Sequence, residues 1–385
     1  MEICAIICEF NPFHNGHKYL IEQAKKLTGC GAVVCVMSGS FTQRGEICRT
    51  DKFLRAKHAI ACGADIVLEL PAPFAVAPAE IFARGAVKII AAIPEVKYLA
   101  FGCEPRGDGS CGDGSCGDSE VFESAAKILC NESGEFKNVL NAELEGGESY
   151  IRSLSAAFEK CGGAAGLLSS PNNILGVEYA KAALKSGANF KLVPVKRVGA
   201  GYSDGELAGE YSSARGIRMN AGNPAVKLSM PECSYVDFIR SRDNTPRFEQ
   251  MAVDYLFMCG KDSLKRVYGC TEGLENRLKS LAFGNSFEDI VESAASKRYS
   301  KARIRRILCG NLLGLYADDA EKFLQSELTA NILAVKKERA DELLPLMKTQ
   351  SGGLCRELTS RSYSLWRYLS APLIFDNPNE KMILV

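Results

Sequence analysis

The chain has 385 residues and a hydrophobic content of 46%, which predicts a globular protein with two or three domains. Lys and Arg number 47 against 46 Asp and Glu, so overall charge does not identify a nucleic acid partner, and only a local cluster can. Many of the 16 cysteines lie inside apolar runs, such as Cys4, Cys8, Cys35, Cys130 and Cys309, and none forms a CxxC pair. This argues against a disulfide-stapled secreted domain and against a structural zinc site.

No basic segment follows Met1-Glu2, so we expect no signal peptide. No uncharged apolar run reaches the roughly 18 residues of a membrane helix, so we also expect no membrane span. These features predict a cytoplasmic protein.

Short apolar runs alternate with helix-like segments through the first hundred residues, and the runs are apolar throughout. This pattern predicts a doubly wound α/β fold with a parallel sheet covered on both faces. The predicted elements in chain order are strand 3–9, helix 16–28, strand 32–37, helix 51–62, strand 65–70, helix 78–92 and strand 96–102.

The pattern changes further along the chain. Residues 107–120 repeat GDGSC, which we interpret as a flexible loop rather than a metal site. Helices are expected at 119–161 and 173–186 and a strand at 190–198, and a mainly helical region follows. Its predicted helices are 247–259, 261–268, 272–282, 286–296, 300–314 and 319–328. We therefore predict a catalytic domain, 1–230, and a mainly helical C-terminal domain, 231–385, with no prediction for the tail after 330.

Two of the three histidines lie in CEFNPFHNGHKYL, residues 8–20, where the first strand should end and the first helix begin. Ligands of open α/β sheets bind beyond the carboxyl ends of strands, and free N–H groups at a helix start attract anions. His14 and His17 would share one side of the first turn, and Gly16 would let a phosphate approach. The motif predicts a phosphate site whose imidazoles stabilise developing charge. The structural alternative is one capping histidine and one core histidine.

A second motif, YSSARGIRMN at residues 211–220, offers a hydroxyl and a guanidinium at a later helix start. Taken alone, it also fits a capping Ser213 and a surface Arg218. The pair of motifs resembles the HIGH-type nucleotidyltransferase superfamily, in which H-x-G-H follows the first strand and a motif like S-S-T-x-I-R comes later. The superfamily includes the class I aminoacyl-tRNA synthetases, and those enzymes split ATP between its α- and β-phosphates. Ser213, Ile217 and Arg218 match the later motif, whereas Ala214 replaces the common threonine.

Over most of residues 1–310 the chain resembles one family within that superfamily, the bacterial tRNA(Met) cytidine acetate ligases. The matching blocks, in the family's order, are EFNPFHNGH, VMSGSFTQRGE, DKFLRAKHAIACGADIVLELP, AEIFARGAVKII, FGCE, SPNNILGVEYAKA, VKRVGAGY, SSARGIR and, more weakly, SKRYSKARIRRIL. The resemblance implies that ATP and acetate give acetyl-adenylate and pyrophosphate. N4 of the wobble cytidine of elongator tRNA(Met) would then take the acetyl group. ATP with Mg²⁺, acetate and tRNA are the implied ligands.

The resemblance also implies site residues, with His14, His17 and Arg218 catalytic. The implied ATP-binding residues are Ile7, Cys8, Glu9, Phe10, Asn11, Pro12, Phe13, His14, Asn15, Gly16, His17, Lys18, Tyr19, Leu20, Gly102, Asn172, Asn173, Arg197, Ser213 and Arg218. Structural alternatives are a turn glycine for Gly102, a helix cap for Asn172 and a surface charge for Arg197. Gln43, Arg44 and Glu46 fit an acetate pocket, an RNA entrance or plain loop polarity.

A basic cluster lies in SKRYSKARIRRIL, residues 296–308. Its cations could contact RNA phosphates and its tyrosine could stack on a base. The predicted tRNA-binding residues are Lys297, Arg298, Tyr299, Lys301, Arg303 and Arg306. The alternative is a solvated basic helix.

Two other functions remain open. A small-molecule adenylyltransferase would use the same two motifs but would not need the basic helical region. A non-catalytic RNA-binding protein with this fold would not need the intact HNGH and Arg218. The sequence indicates no protein partner and no dedicated metal site.

Overall fold

The computed structural model describes residues 1–105, 119–199, 205–326, 328, 330–347, 354–370 and 383–384, so most of the GDGSC repeat lies outside the described residues. The strands are β1 Ile3–Cys8, β2 Ala32–Ser38, β3 Ile66–Leu70, β4 Val96–Cys103, β5 Lys191–Lys196, β6 Ile332–Val335 and β7 Ile383–Leu384. The helices are α1 Asn15–Thr28, α2 Lys52–Ala61, α3 Ala72–Ala75, α4 Ala79–Ala91, α5 Ser119–Cys130, α6 Gly134–Glu145, α7 Tyr150–Lys160, α8 Pro171–Ser186, α9 Ala214–Met219, α10 Glu232–Arg240, α11 Thr245–Met258, α12 Lys261–Arg266, α13 Leu274–Leu281, α14 Phe287–Ala294, α15 Lys301–Leu313, α16 Ala317–Gln325, α17 Ala340–Leu343 and α18 Leu354–Ser370.

The strands form one sheet in the order β5-β4-β1-β2-β3-β6-β7. Strands β1 to β5 are parallel, as the sequence predicts, and the doubly wound fold is confirmed. The chain runs outward from β1 through β2 and β3, then returns to β4 on the other side of β1. The carboxyl end of β1 is therefore at the topological switch point, where open α/β sheets bind ligands.

Each strand contributes side chains to two cores because successive side chains point to opposite faces of a sheet. Cys4 and Ile6 of β1 face a core that also contains α1, α2 and much of the helical region. Ile3 and Ala5 face the second core, which α4, α5 and α8 cover. Among the described residues, no helix is both long and apolar enough to cross a membrane.

The tail after residue 330, for which the sequence offered no prediction, returns to the sheet. Strand β6 lies antiparallel beside β3, and the N–H of Glu69 donates to the carbonyl of Asn331 at 2.8 Å. Helix α18 is anchored nearby, since the indole N–H of Trp366 donates to the carbonyl of Cys48 at 2.6 Å. Residues on both sides of position 230 thus share one sheet, and the division into two domains at that position stays a prediction.

Candidate active site

The turn after β1 is held by an unusual set of contacts. Phe10 adopts a φ of 51°, in the left-handed region that bulky side chains rarely occupy. The fully buried guanidinium of Arg55 donates to the carbonyls of Glu9 at 2.6 Å, Ser38 at 3.1 Å and Thr50 at 3.0 Å, and also to that of Gly39. One side chain on α2 thereby ties together the carboxyl ends of β1 and β2 and supports the strained turn that leads into HNGH.

The two HNGH histidines cap α1 and stack on each other. The N–H of Gly16 donates to Nδ1 of His14 at 3.1 Å, and the N–H of His14 donates to Nδ1 of His17 at 3.3 Å. The ring centroids lie 3.7 Å apart at an interplanar angle of 29°. Because Nδ1 accepts in both rings, we assign each ring proton to Nε2. Each histidine can therefore cap the helix through Nδ1 and donate a hydrogen bond to a ligand through Nε2. The capping interpretation of the sequence does not exclude a role in binding phosphate.

Both imidazoles are neutral at pH 7. Burial, followed by the charges of Arg197 and Arg218, lowers the pKa of His14 to about 3. Burial, the neighbouring His14 and Arg197 hold the pKa of His17 well below its usual value. The cationic surroundings attract an anion, while the rings can supply neutral Nε2–H donors.

The free energy of unfolding is expected to decrease as the pH drops below about 6.5, because the histidines of the unfolded chain gain protons in that range. The folded pKa of His14 is depressed to about 3, so the unfolded state binds more protons over the intervening range. The contribution of His14 to the free energy of unfolding is fully present above about pH 6.5. It decreases by up to about 1.4 kcal/mol per pH unit as the pH falls toward about 3. Urea unfolding at about pH 7.5 and about pH 5.5 measures the change. A His14→Asn, His17→Asn double variant should show a shallower pH dependence, and an unchanged one would contradict the assignment.

The second motif reaches the same turn from the other side. Ser213 caps α9, with its Oγ accepting from the N–H of Gly216 at 2.9 Å. Arg218 donates from Nη1 to the carbonyl of Asn11 at 2.5 Å and from Nη2 to Glu46 Oε2 at 2.7 Å. The motifs at 14–17 and 213–218 thus converge on a single cavity, as the superfamily resemblance implies.

With both motifs lining one cavity, comparison with known proteins identifies the family. The sequence model of the HIGH Nucleotidyl Transferase family matches residues 1–365. The tRNA(Met) cytidine acetate ligase of Acetivibrio thermocellus is 34% identical over 372 residues, covering 91% of this chain and 86% of that protein. This chain belongs to the tRNA(Met) cytidine acetate ligase family. The resemblance inferred from the motifs is therefore confirmed.

Two crystal structures share the fold of this acetate ligase family member. Thermotoga maritima TmcAL in its apo form I has a TM-score of 0.79 at 31% identity, over 98% of this chain and 90% of that chain. The same protein bound with alpha-thio ATP has a TM-score of 0.75 at 29% identity, over 96% of this chain and 84% of that chain. The fold that holds this cavity therefore holds an ATP analogue in a relative.

Most of the ATP-binding residues predicted for this acetate ligase family member lie in the cavity wall. They are Ile7, Cys8, Glu9, Phe10, Asn11, His14, Gly16, His17, Tyr19, Leu20, Gly102, Asn172, Arg197, Ser213 and Arg218. The remaining five, Pro12, Phe13, Asn15, Lys18 and Asn173, lie outside that wall. Every assignment of a residue to ATP stays a prediction.

The end of β4 explains why two neighbouring asparagines differ. Asn173 is buried, accepting from the N–H of Glu104 at 2.9 Å and donating to the carbonyl of Glu104 at 3.1 Å. Asn172 lines the cavity and donates to Glu104 Oε1 at 2.7 Å, and Arg197 Nε lies 3.9 Å from the same oxygen. A Cβ on Gly102 would lie 3.3 Å from Cγ of Arg197. Asn173 thus fixes the strand end, while Asn172 and Arg197 face the ligand space.

Other wall residues were not predicted as ATP-binding. The sequence does not decide whether Gln43, Arg44 and Glu46 serve acetate, RNA or only the loop. In the structure the N–H of Gln43 donates to Glu9 Oε1 at 2.6 Å. Phe101, Val195 and Lys196 lie near the carboxyl ends of β4 and β5, where open α/β sheets bind ligands, so the sequence could have indicated them. No comparable sequence pattern marks the wall residues that lie inside helices. The unpredicted residues are Thr42, Phe82, Phe101, Leu175, Tyr179, Val195, Lys196, Val198, Tyr211, Ser212, Ala214 and Arg215.

The predicted tRNA cluster is engaged with the protein itself. Arg298 and Lys301 each lie 2.6 Å from a glutamate, Glu272 and Glu292 respectively. Lys297 donates to the carbonyl of Gly147 at 3.1 Å, Tyr299 donates to Glu272 Oε2 at 3.0 Å and Arg303 donates to the carbonyl of Gly269 at 2.8 Å. Arg306 donates to the carbonyl of Gln43 at 3.3 Å, and burial lowers its pKa to about 10. Arg306 thus supports a loop that lines the cavity, and tRNA binding by the cluster stays a prediction.

Proposed function

We propose that the protein is an ATP-dependent ligase that activates acetate and acetylates N4 of the wobble cytidine of elongator tRNA(Met). The observation that carries the proposal is the convergence of HNGH and SSARGIR on one cavity at the sheet switch point. The family membership and the name of the Acetivibrio thermocellus relative support the substrate. A cytoplasmic location, where tRNA is found, belongs to the same proposal.

The chemistry has two balanced steps. A carboxylate oxygen of acetate attacks the α-phosphorus of ATP, the bond to the β-phosphate oxygen breaks, and pyrophosphate leaves. N4 of cytidine then attacks the acetyl carbonyl carbon, the bond to AMP breaks, and N4 gives up one proton. The Nε2–H groups of His14 and His17 would stabilise charge on the phosphates during the first step. Arg218 would exchange the carboxylate of Glu46 for a phosphate oxygen.

Magnesium would arrive with ATP and neutralise phosphate charge. Across the described ranges, no group of three or more His, Cys, Asp or Glu side chains is placed to hold a metal ion. The ATP phosphates and water would supply most of its ligands, because Mg²⁺ usually keeps several waters in nucleotide sites.

Transfer of labelled acetate tests the proposal. Protein, ATP, Mg²⁺, labelled acetate and elongator tRNA(Met) should give label in N4-acetylcytidine together with AMP and pyrophosphate. The matched control is the same tRNA with uridine at the wobble position, which lacks the exocyclic amine and should take no label. Transfer of adenylate to a small molecule, with no labelled RNA, would favour the adenylyltransferase instead. RNA binding without ATP binding would favour a non-catalytic RNA-binding protein.

A further inference from the structure

The segment that carries Ser213 and Arg218 has a small core of its own. Ile217, Val226 and Met230 pack together with Phe238 of α10. None of these four belongs to either of the two cores on the sheet faces. Burial of apolar surface therefore builds this segment and attaches it to α10, but does not by itself set its distance from the HNGH turn.

One side chain of the HNGH motif bridges to this segment twice. Nδ2 of Asn15 donates to the carbonyl of Leu228 at 2.9 Å and to the carbonyl of Glu210 at 3.2 Å. Glu210 lies in the turn before α9, and Leu228 lies in the turn after it. The two turns are also joined by Ser229, whose Oγ donates to Ser212 Oγ at 2.8 Å. Asn15 thus fastens both ends of the unit that presents Ser213.

We propose that Asn15 is a positioning residue that, together with the contact of Arg218 to the Asn11 carbonyl, fixes the distance between the HNGH turn and the Ser213–Arg218 segment. Both protons of its amide are used on backbone carbonyls, and it lies outside the cavity wall, so it acts on the ligand through the segment. The inference rests on the proposed function and takes Ser213 and Arg218 as the groups that hold the β- and γ-phosphates of ATP. A ligand that lacks these phosphates should therefore be insensitive to Asn15.

The test compares ATP with AMP in an Asn15→Leu variant. Leucine keeps the branched shape without the two donors, and it adds no charge. An aspartate would repel the phosphates directly, so its effect would combine charge repulsion with the loss of the two donors. We expect calorimetry to show an affinity for ATP about 10-fold weaker and an affinity for AMP within about 2-fold of the original. In acetate-dependent pyrophosphate release, kcat/KM for ATP should fall about 10- to 100-fold.

Asn285→Leu is the matched control. Nδ2 of Asn285 also donates to two carbonyls, those of Leu281 at 3.0 Å and Phe283 at 3.3 Å, and Asn285 is not a cavity residue. This variant should leave the ratio of ATP affinity to AMP affinity unchanged. Equal losses for ATP and AMP in Asn15→Leu, or no loss for either, would overturn the inference.

The binding test needs neither acetate nor tRNA, so the two proposals can fail separately. If the unmodified protein prefers ATP to AMP and Asn15→Leu removes that preference, the positioning role stands even if no RNA is labelled. If labelled acetate reaches tRNA but Asn15→Leu keeps the preference, the proposed function stands and the positioning role fails. An unmodified protein without preference for ATP would overturn the positioning role.

Discussion

Replacing His14 by asparagine is expected to slow acetate-dependent pyrophosphate release about 100- to 1000-fold without unfolding the protein. Asparagine places an acceptor near the position of Nδ1 and is among the preferred N-cap residues, so the contact with the Gly16 N–H can persist. It offers no donor at the position of Nε2, so one group that stabilises phosphate charge is lost. His17→Asn should behave similarly because its Nδ1 also accepts from the backbone.

The complementary variant separates capping from donation. Glutamine at position 14 places an amide N–H near the position of Nε2 but removes the cap, so it should retain more activity and lose more stability than asparagine. His58→Gln is the control, because His58 lies outside the cavity and contacts Asp237 through Nε2 at 2.8 Å. Its activity should match the parent's. Activity of His14→Asn within about threefold of the parent would contradict a donor role for His14.

Replacing Lys52 by methionine should have the largest effect on stability, a loss of about 3–5 kcal/mol. Lys52 and Glu69 are 5% and 1% exposed, and Nζ lies 2.8 Å and 2.9 Å from the two carboxylate oxygens. Without the lysine, Glu69 keeps a buried charge whose remaining side-chain partner within the described part of the chain is Asn331, which donates to Oε2 at 3.1 Å. Nζ also lies 4.3 Å from the ring centroid of Tyr363, so docking of α18 loses a contact.

Urea unfolding of a double-mutant cycle measures this effect. Lys52→Met with Glu69→Gln removes both charges and keeps an acceptor for Asn331, so it should recover much of the loss. Lys185→Met is the exposed control, because Lys185 lies 3.5 Å from Glu80 with both side chains about half exposed. It should cost less than about 1 kcal/mol. A loss of less than about 1 kcal/mol in the free energy of unfolding of Lys52→Met would show that the buried ion pair does not stabilise the fold.

The sequence predicts the cavity well because its determinants are local. A strand end, a glycine and a helix start lie together in CEFNPFHNGHKYL, and the physics of that turn places His14 and His17 without knowledge of the rest of the chain. Arg55 shows what such reasoning leaves out. Its role depends on carbonyls from the ends of two strands, and a helix pattern cannot reveal that its guanidinium is buried against them.

Long-range pairing explains the other omissions. Strand β6 has four residues, and the contact between Asn331 and Glu69 spans 262 positions of the chain. No local pattern specifies such a partner, so the tail had no prediction. The contacts of the basic cluster escape local reasoning for a related reason. The partners of Arg298 and Lys301 are Glu272 and Glu292, which lie outside the cluster itself, so a count of local charge does not reveal these ion pairs.

The antiparallel position of β6 has a consequence for synthesis on the ribosome. Strand β3 stays at the margin of the sheet until residues 332–335 have emerged, although β1 to β5 are made long before. During that interval its outer N–H and C=O groups are open to pairing with other nascent chains. Strand β6 therefore protects the edge of β3 against aggregation, and a chain released before residue 332 would expose that edge even with both of its motifs complete.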